Sequence, residues 1–317
     1  MNILITGITG LFGSYLAAEF ASLGKIIGLR RANSSTRLLD QKNLEITWRE
    51  ADLGDPSQLE SAMEDVDLVI HSAGMVSFFP SDSDQLYQTN VIGTRNLVNA
   101  MLDKGVKKLI HISSVAAIGR STELTTINEK FKWTESPLNT DYARSKYEGE
   151  LEVWRGEQEG LEVLVINPSV ILGKIADDRS STSIYSYVLE EKSYYPKGDI
   201  NYIDARDAAK ITRLLFEKEA WGERFILNAG SISYQEFFKQ MAQSFGKKAP
   251  QKPVTPLLLN LAVWYAGFSR WIGASKIPLN SSTARISQLS VNFDNTKVKK
   301  ALGYEFRPLL ETFNWAK

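Results

Sequence analysis

Short apolar, β-branched runs alternate along this chain with longer stretches whose apolar residues recur at helical spacing. Asn2 to Thr6 is the first run and reads as a buried strand. From Leu11 through Leu16, Ala17, Phe20 and Leu23 the apolar positions follow a helix, and Gly24 stops it. Further strands are expected over Lys25 to Arg30, Leu44 to Ala51, Val66 to His71, Lys108 to Ser113 and Leu161 to Asn167. Helices are expected after Asp55, with Pro56 at the first helical position, then over Leu86 to Leu102 with Gly105 as its stop, and over Tyr142 to Trp154. Strands and helices alternating in this way predict right-handed crossovers and an α/β fold, a doubly wound parallel sheet. Such sheets bind ligands at the carboxyl ends of their strands. That rule places Gly7, Arg30, Asp52, Ala73 and Ser114 along one rim.

After Pro168 the pattern loosens. Asp177 to Ser183 is polar and Ser-rich, a loop; Tyr202 to Asp204 is a short strand feeding a helix over Asp207 to Glu217. Phe225 to Asn228 and Tyr234 to Phe245 read as one more strand and one more helix. Residues 1–170 are therefore expected to form a dinucleotide-binding unit to which 201–230 returns. Residues 171–317 form a smaller, mostly helical, mainly substrate-binding region. The uncharged run from Val254 through Ser269 is shorter than the roughly 20 apolar residues a membrane span needs, and it contains Pro256 and Asn260. A buried or pocket-lining helix is expected there, and no membrane association.

The chain has 317 residues, with 37 Lys and Arg balancing 37 Asp and Glu. Zero net charge argues against a nucleic-acid partner. The absence of cysteine excludes disulfides, cysteine nucleophiles and thiolate metal sites. The two histidines, His71 and His111, sit inside apolar runs, so no metal site is expected. Met1 leads straight into the first strand with no basic flank, which suggests a cytoplasmic location rather than a secretory leader.

Candidate chemistry falls on the predicted rim. Between the first strand and helix, glycines stand at 7, 10 and 13. Glycine turns tightly, lets a pyrophosphate reach bare backbone, and lets helix pack on strand, while the helix N-terminus offers N–H groups and a positive dipole end. A ligand-free βα turn has the same spacing; the strand before and helix after favour a dinucleotide. Tyr142 and Lys146 lie four apart on one helix face, where an ammonium can favour the phenolate. Ser113 and Ser114 end the fifth strand, where a hydroxyl can hold a carbonyl; turn chemistry also favours serine there.

These stretches occur in a familiar order: Thr6-Gly7-x-x-Gly10-x-x-Gly13, Asp52-Leu53, His71-Ser72-Ala73-Gly74, Asn90-Val91-x-Gly93-Thr94, Ser113-Ser114 with Gly119, Tyr142-x-x-x-Lys146 and Asn167-Pro168. Over most of the first 170 residues the chain resembles an extended short-chain dehydrogenase/reductase, the group that includes NAD-dependent epimerases and dehydratases. Tyr202-Ile203-Asp204-x-Arg206-Asp207-Ala208 and Leu302-Gly303-Tyr304 resemble features of its tail. The resemblance implies a Rossmann-type sheet, a Ser114–Tyr142–Lys146 catalytic triad and often a homodimer built on the helices Leu86 to Leu102 and Tyr142 to Trp154. It implies that Gly7, Thr9, Gly10, Leu11, Phe12 and Gly13 hold the dinucleotide and that Asp52 and Leu53 flank its adenine. Ala73, Gly74 and Pro168 would line the cofactor, and Lys146 would hold the nicotinamide ribose. Asn90 falls where the family often has a helix-distorting asparagine.

Two departures refine the resemblance. The second strand ends Leu29-Arg30-Arg31 where NAD-using members carry an acid, and no Asp or Glu is expected at that strand end. Arginine suits a 2′-phosphate, so NADP is the expected cofactor, with NAD as the alternative. Asn167-Pro168-Ser169 replaces the Arg-Pro of many sugar-nucleotide epimerases and looks closer to the dihydroflavonol reductase-like branch. An NADP-dependent reductase of a ketone or aldehyde is the expectation. A sugar-nucleotide epimerase or dehydratase and a non-catalytic nucleotide sensor are the alternatives.

Overall fold

Successive strand residues point to opposite faces of a sheet, and here both faces are apolar, as a sheet covered on both sides requires. The computed structural model describes residues 1–40, 42–175, 183–255, 257–259, 261, 264 and 280–317. Its strands include β1 (Asn2–Thr6), β2 (Lys25–Arg30), β3 (Ile46–Glu50), β4 (Leu68–His71), β5 (Lys108–Ile112), β6 (Thr126–Ile127), β7 (Glu162–Pro168), β8 (Val170–Leu172), β9 (Tyr194–Tyr195), β10 (Asp199–Asp204), β11 (Glu223–Leu227) and β12 (Gly230–Ser233). Its helices include α1 (Leu11–Phe20), α2 (Arg37–Asp40), α3 (Pro56–Ala62), α4 (Ser83–Tyr87), α5 (Gly93–Lys104), α6 (Val115–Ile118), α7 (Asp141–Gln158), α8 (Ser183–Leu189), α9 (Ala205–Glu217) and α10 (Tyr234–Phe245).

Seven parallel strands form the main sheet in the order β11-β7-β5-β4-β1-β2-β3. Ile3, Ile5, Ile70, Ile110 and Ile166 pack under α1 and α9, whereas Leu4, Val69, Leu109, Val163 and Val165 pack against α3, α5 and α7. Burying each such side chain is worth on the order of 1.5–3 kcal/mol. The order reverses direction beside β1, so a crevice opens above the β1 and β4 carboxyl ends.

The helix expected over Leu86 to Leu102 is not uniform. It starts at Ser83, winds as a π-helix over Gln88–Ile92, and runs on as α5 to Lys104. Gly93 N–H donates to the Gln88 carbonyl, five residues back. The Thr94 hydroxyl instead takes the Asn90 carbonyl at 2.7 Å. Gly149 of α7 makes this close approach feasible: a Cβ there would stand 2.4 Å from the same carbonyl oxygen.

The later part of the chain is mixed rather than mostly helical. A three-stranded sheet, β12-β10-β8, pairs β10 parallel to β8 and antiparallel to β12. Tyr185, Phe237, Phe238 and Phe313 fill the core between it and helices α8, α10 and Leu309–Ala316. Strand β11 returns to the edge of the main sheet beside β7. The acids of the Tyr202–Ala208 motif are clamps. Buried Asp204 accepts from Arg206 at 2.6 Å and from the Thr312 hydroxyl at 2.9 Å. Buried Asp207 accepts from the Tyr304 hydroxyl at 2.8 Å and pairs with Arg307. Residues 177–182 of the loop expected over Asp177 to Ser183, and most of the run from Val254 through Ser269, lie outside the described residues. Among the described residues no helix is long and apolar enough to cross a membrane.

Candidate active site

The glycines of the first turn do different things. Gly7 has φ +65°, and a Cβ there would stand 2.5 Å from the Ala73 amide nitrogen. At Gly13 it would stand 2.1 Å from the Gly7 carbonyl oxygen, because α1 packs directly on the turn. Gly10 differs: its nearest atom is the Gly7 oxygen at 3.2 Å, and it caps α1 without a side-chain bond. The protein leaves bare backbone at a helix N-terminus facing the crevice, which fits a dinucleotide pyrophosphate. Leu11 and Phe12 are buried in the first helical turn and Thr9 stands half-buried before it.

At the end of β2, Arg30 lies in register with Glu50 of β3, and the two side chains meet at 3.5 Å. The expectation of no acid at this strand end is therefore corrected: it arrives from the neighbouring strand, which spacing along β2 could not show. Arg30 also covers the Trp48 ring at 4.7 Å, and its buried Nε has no hydrogen-bond partner among the described residues. Arg31 is exposed and, among the described residues, makes no side-chain hydrogen bond or ion pair. Asp52 is exposed after β3, where it accepts from Gly54 N–H at 2.8 Å, and half-buried Leu53 follows. After β4, Ala73 N–H donates to the Thr6 hydroxyl at 3.1 Å, and exposed Gly74 faces Asn90 and Lys146.

Ser114 follows β5, its Oγ capping α6 by accepting from Ala116 N–H at 3.1 Å. The Tyr142 phenol on α7 lies near enough to the Ser114 side chain to feel it, and Phe78 meets the Tyr142 ring edge-on at 5.7 Å. One turn further, Lys146 Nζ donates to the Ile112 carbonyl at 2.8 Å. Burial lowers the Lys146 ammonium to about 8, partly offset by Glu150. Burial likewise raises the Tyr142 phenol above its ordinary value, against the influence of the Ser114 hydroxyl and the charge of Arg120. The four-residue spacing makes Lys146 the expected cation beside this phenol. Desolvation outweighs the neighbours, and the cation that acts on it is Arg120, a residue that sequence spacing did not single out.

Asn90 lies beside this group with its amide engaged: Oδ1 accepts from Met75 N–H at 2.7 Å, and Nδ2 donates to the Met75 carbonyl and the Ser145 hydroxyl at 2.9 Å. It bolts the loop after β4 to α7. Beneath it, His71 joins the Thr6 hydroxyl at 2.7 Å and the Thr94 hydroxyl at 3.0 Å. Burial, then the Lys146 charge, lowers His71 to about 3 and His111 well below its ordinary value, so both imidazoles are neutral at pH 7. Asn167, just before Pro168, donates to the Ser114 carbonyl at 3.0 Å and to buried Glu150 at 2.9 Å.

Phe78 reaches the site, while Tyr185 is fully buried in the core beside α8 and α10 and donates to the Gly173 carbonyl. Tyr265, Arg179 and Arg270 lie outside the described residues. A concavity of about 410 Å³ lined by Asn2, Asp65, Asp67 and Lys104 lies at the opposite, amino-terminal end of the strands.

The model of the NAD dependent epimerase/dehydratase family matches residues 3–230, and the chain belongs to that family. It is an NAD(P)-dependent enzyme of the extended short-chain dehydrogenase/reductase type. It is 27% identical over 311 residues to Sterol demethylase protein B of Methylococcus capsulatus, covering 96% of this chain and 93% of that one. A Synechocystis protein named "Putative dihydroflavonol 4-reductase" is 28% identical over 94% of this chain and 88% of its own. The crystal structure of gox2253 superposes with a TM-score of 0.85 at 28% identity, covering 99% of this chain and 96% of the other.

Proposed function

We propose that this enzyme reduces a ketone or aldehyde with NADPH, with Ser114, Tyr142 and Lys146 carrying the chemistry. The observation that carries the reading is the placing of Tyr142, on α7, near Ser114 just after β5, with the phenol kept protonated by burial. A proton donor poised beside a carbonyl-binding hydroxyl is what reduction of a carbonyl needs. The relatives named for dihydroflavonol and cinnamoyl-CoA reduction support the same direction.

The turn at Gly7, Gly10 and Gly13 holds the pyrophosphate, Arg30 and Arg31 the 2′-phosphate, and Asp52 and Leu53 the adenine. Ala73, Gly74 and Pro168 line the remaining cofactor wall, and Asn90 acts through the loop it bolts. Bound there, the nicotinamide supplies hydride. Ser114, already accepting from Ala116, turns its own O–H to the carbonyl oxygen, and Tyr142 gives that oxygen its proton. Lys146 uses one donor on Ile112 and has two left for ribose hydroxyls. On this reading residues 1–170 bind the cofactor and 171–317 mainly the substrate. Exposed Tyr87 and Leu151, on α4 and α7, mark the face where a second copy would close a two-fold dimer. Light scattering at micromolar concentration should give a dimer mass; a monomer removes that part.

The test is consumption of NADPH by purified protein against a panel of aldehydes and ketones beside UDP-, GDP- and dTDP-sugars. Carbonyl-dependent oxidation of NADPH is expected. Conversion of a nucleotide sugar without net cofactor oxidation would instead establish an epimerase or dehydratase.

A further inference from the structure

Arg120 leaves the active-site loop just after Gly119, whose φ of +103° turns the chain at the end of α6. It is half-buried, and desolvation lowers its guanidinium from the ordinary value, although an arginine stays charged. Arg206, Arg224 and Arg307 are also half-buried, and each has a carboxylate: Asp204, Glu150 and Asp207. Arg120 has no hydrogen bond or ion pair among the described residues. Its charge acts instead on two tyrosines, Tyr142 in the triad and Tyr234 at the start of α10. It lines a cavity of about 100 Å³, room for several water molecules, whose wall includes Val115, the residue after Ser114, and is otherwise made of apolar residues with Asp199, Asn201 and Tyr234.

We propose that Arg120 and Tyr234 form a carboxylate-binding subsite, so that the carbonyl compound reduced at Ser114 and Tyr142 also carries an acidic group. The proposal rests on the reductase reading for the reacting carbonyl; the anion subsite stands on the cavity alone. A half-buried guanidinium with no partner among the described residues gains from an anion that fits its planar fork. Burial raises the Tyr234 phenol above its ordinary value, so it remains an O–H donor to the same group. Asp199 in the same wall opposes a second negative charge, which favours a monoanionic carboxylate over a phosphate dianion. Val115, Ile200, Leu289 and Phe293 offer the apolar surface a carbon skeleton would cover.

Benzoate and methyl benzoate are titrated calorimetrically into the wild type, Arg120→Met and Arg120→Lys, without cofactor and with NADP. Benzoate should bind the wild type about ten- to a hundredfold tighter than its ester, the worth of one charge-assisted bond. Arg120→Met should remove that margin and Arg120→Lys restore part of it. Asp199→Asn should tighten benzoate binding, a gain that misfolding cannot mimic. In parallel, kcat/KM for 4-formylbenzoate relative to methyl 4-formylbenzoate should fall by the same factor in Arg120→Met. An effect of Arg120 on Tyr142 alone would scale both aldehydes equally, and an unchanged ratio therefore overturns the proposal. Reduction of both aldehydes by the wild type with no preference also overturns the subsite while leaving the reductase reading intact. Arg120-dependent benzoate binding without reduction of either aldehyde removes the reductase reading and supports the subsite.

Discussion

Replacing Arg30 and Arg31 together by alanine should shift the enzyme from NADPH towards NADH. A charge-assisted hydrogen bond from a guanidinium to the 2′-phosphate is worth roughly 1.5–3 kcal/mol. Arg30 is already shared with Glu50 at 3.5 Å, a contact between groups 26% and 55% exposed. Exposed pairs of this kind contribute about 0.2–1 kcal/mol, which the phosphate must displace. The net preference should therefore be about 1–2 kcal/mol, or roughly five- to thirtyfold in Kd. Glu50→Gln releases Arg30 and removes a like charge, so it should tighten NADPH and leave NADH nearly unchanged. Quenching of tryptophan fluorescence gives both Kd values for wild type, Arg30→Ala/Arg31→Ala and Glu50→Gln. Equal wild-type affinities for the two cofactors, or a double variant that keeps the NADPH preference, would refute the reasoning.

Other expectations follow from contacts in the same crevice. Gly13→Ala must push a methyl group into the Gly7 carbonyl at 2.1 Å and should lower the melting temperature. Gly10→Ala meets only the Gly7 oxygen at 3.2 Å, so it should fold normally yet weaken cofactor binding; an unchanged Kd would deny Gly10 its place under the pyrophosphate. Tyr142→Phe should lower kcat by about two to four orders of magnitude with cofactor Kd intact, and near wild-type turnover would remove Tyr142 as the acid. Because Lys146 is held at about 8, below its ordinary value, it loses its charge as pH rises through that value. Carbonyl reduction should decline above about pH 8, and Lys146→Arg, which stays charged, should flatten that limb of a kcat/KM profile. The same depressed lysine means the unfolded chain binds more protons between about pH 8 and the ordinary lysine value, so its term makes stability rise with pH across that window.

The fold was legible wherever local pattern and long-range packing agree. The runs at Asn2, Lys25 and Val66 carry β-branched residues on both faces, which only a doubly covered sheet can bury, and the strands formed within a few residues of expectation. Tyr234 to Phe245 matched residue for residue, because Ser233 caps it and Gly246 ends it in the left-handed region. What spacing could not show is contact between distant segments. Glu50 reaches Arg30 only through the β2–β3 register, and the π-turn at Asn90 depends on Thr94, His71 and the missing side chain of Gly149. β8 and β12 were missed because each has four residues or fewer and gains its partner, β10, from elsewhere in the chain. Arg120 was missed for the same reason: in sequence it is a basic residue after a glycine, and only the fold brings its charge within reach of Tyr142.

The central claim is that hydride leaves the cofactor for a substrate carbonyl and stays there, with the proton supplied at Tyr142. It is tested most directly by following deuterium from NADPH labelled at the nicotinamide C4 during reduction of an accepted aldehyde. One deuterium per alcohol, equal in amount to the NADP formed and lost in step with turnover in Tyr142→Phe, is the expected result. Deuterium that returns to the cofactor, or a substrate epimerised or dehydrated with no NADP released, would contradict it.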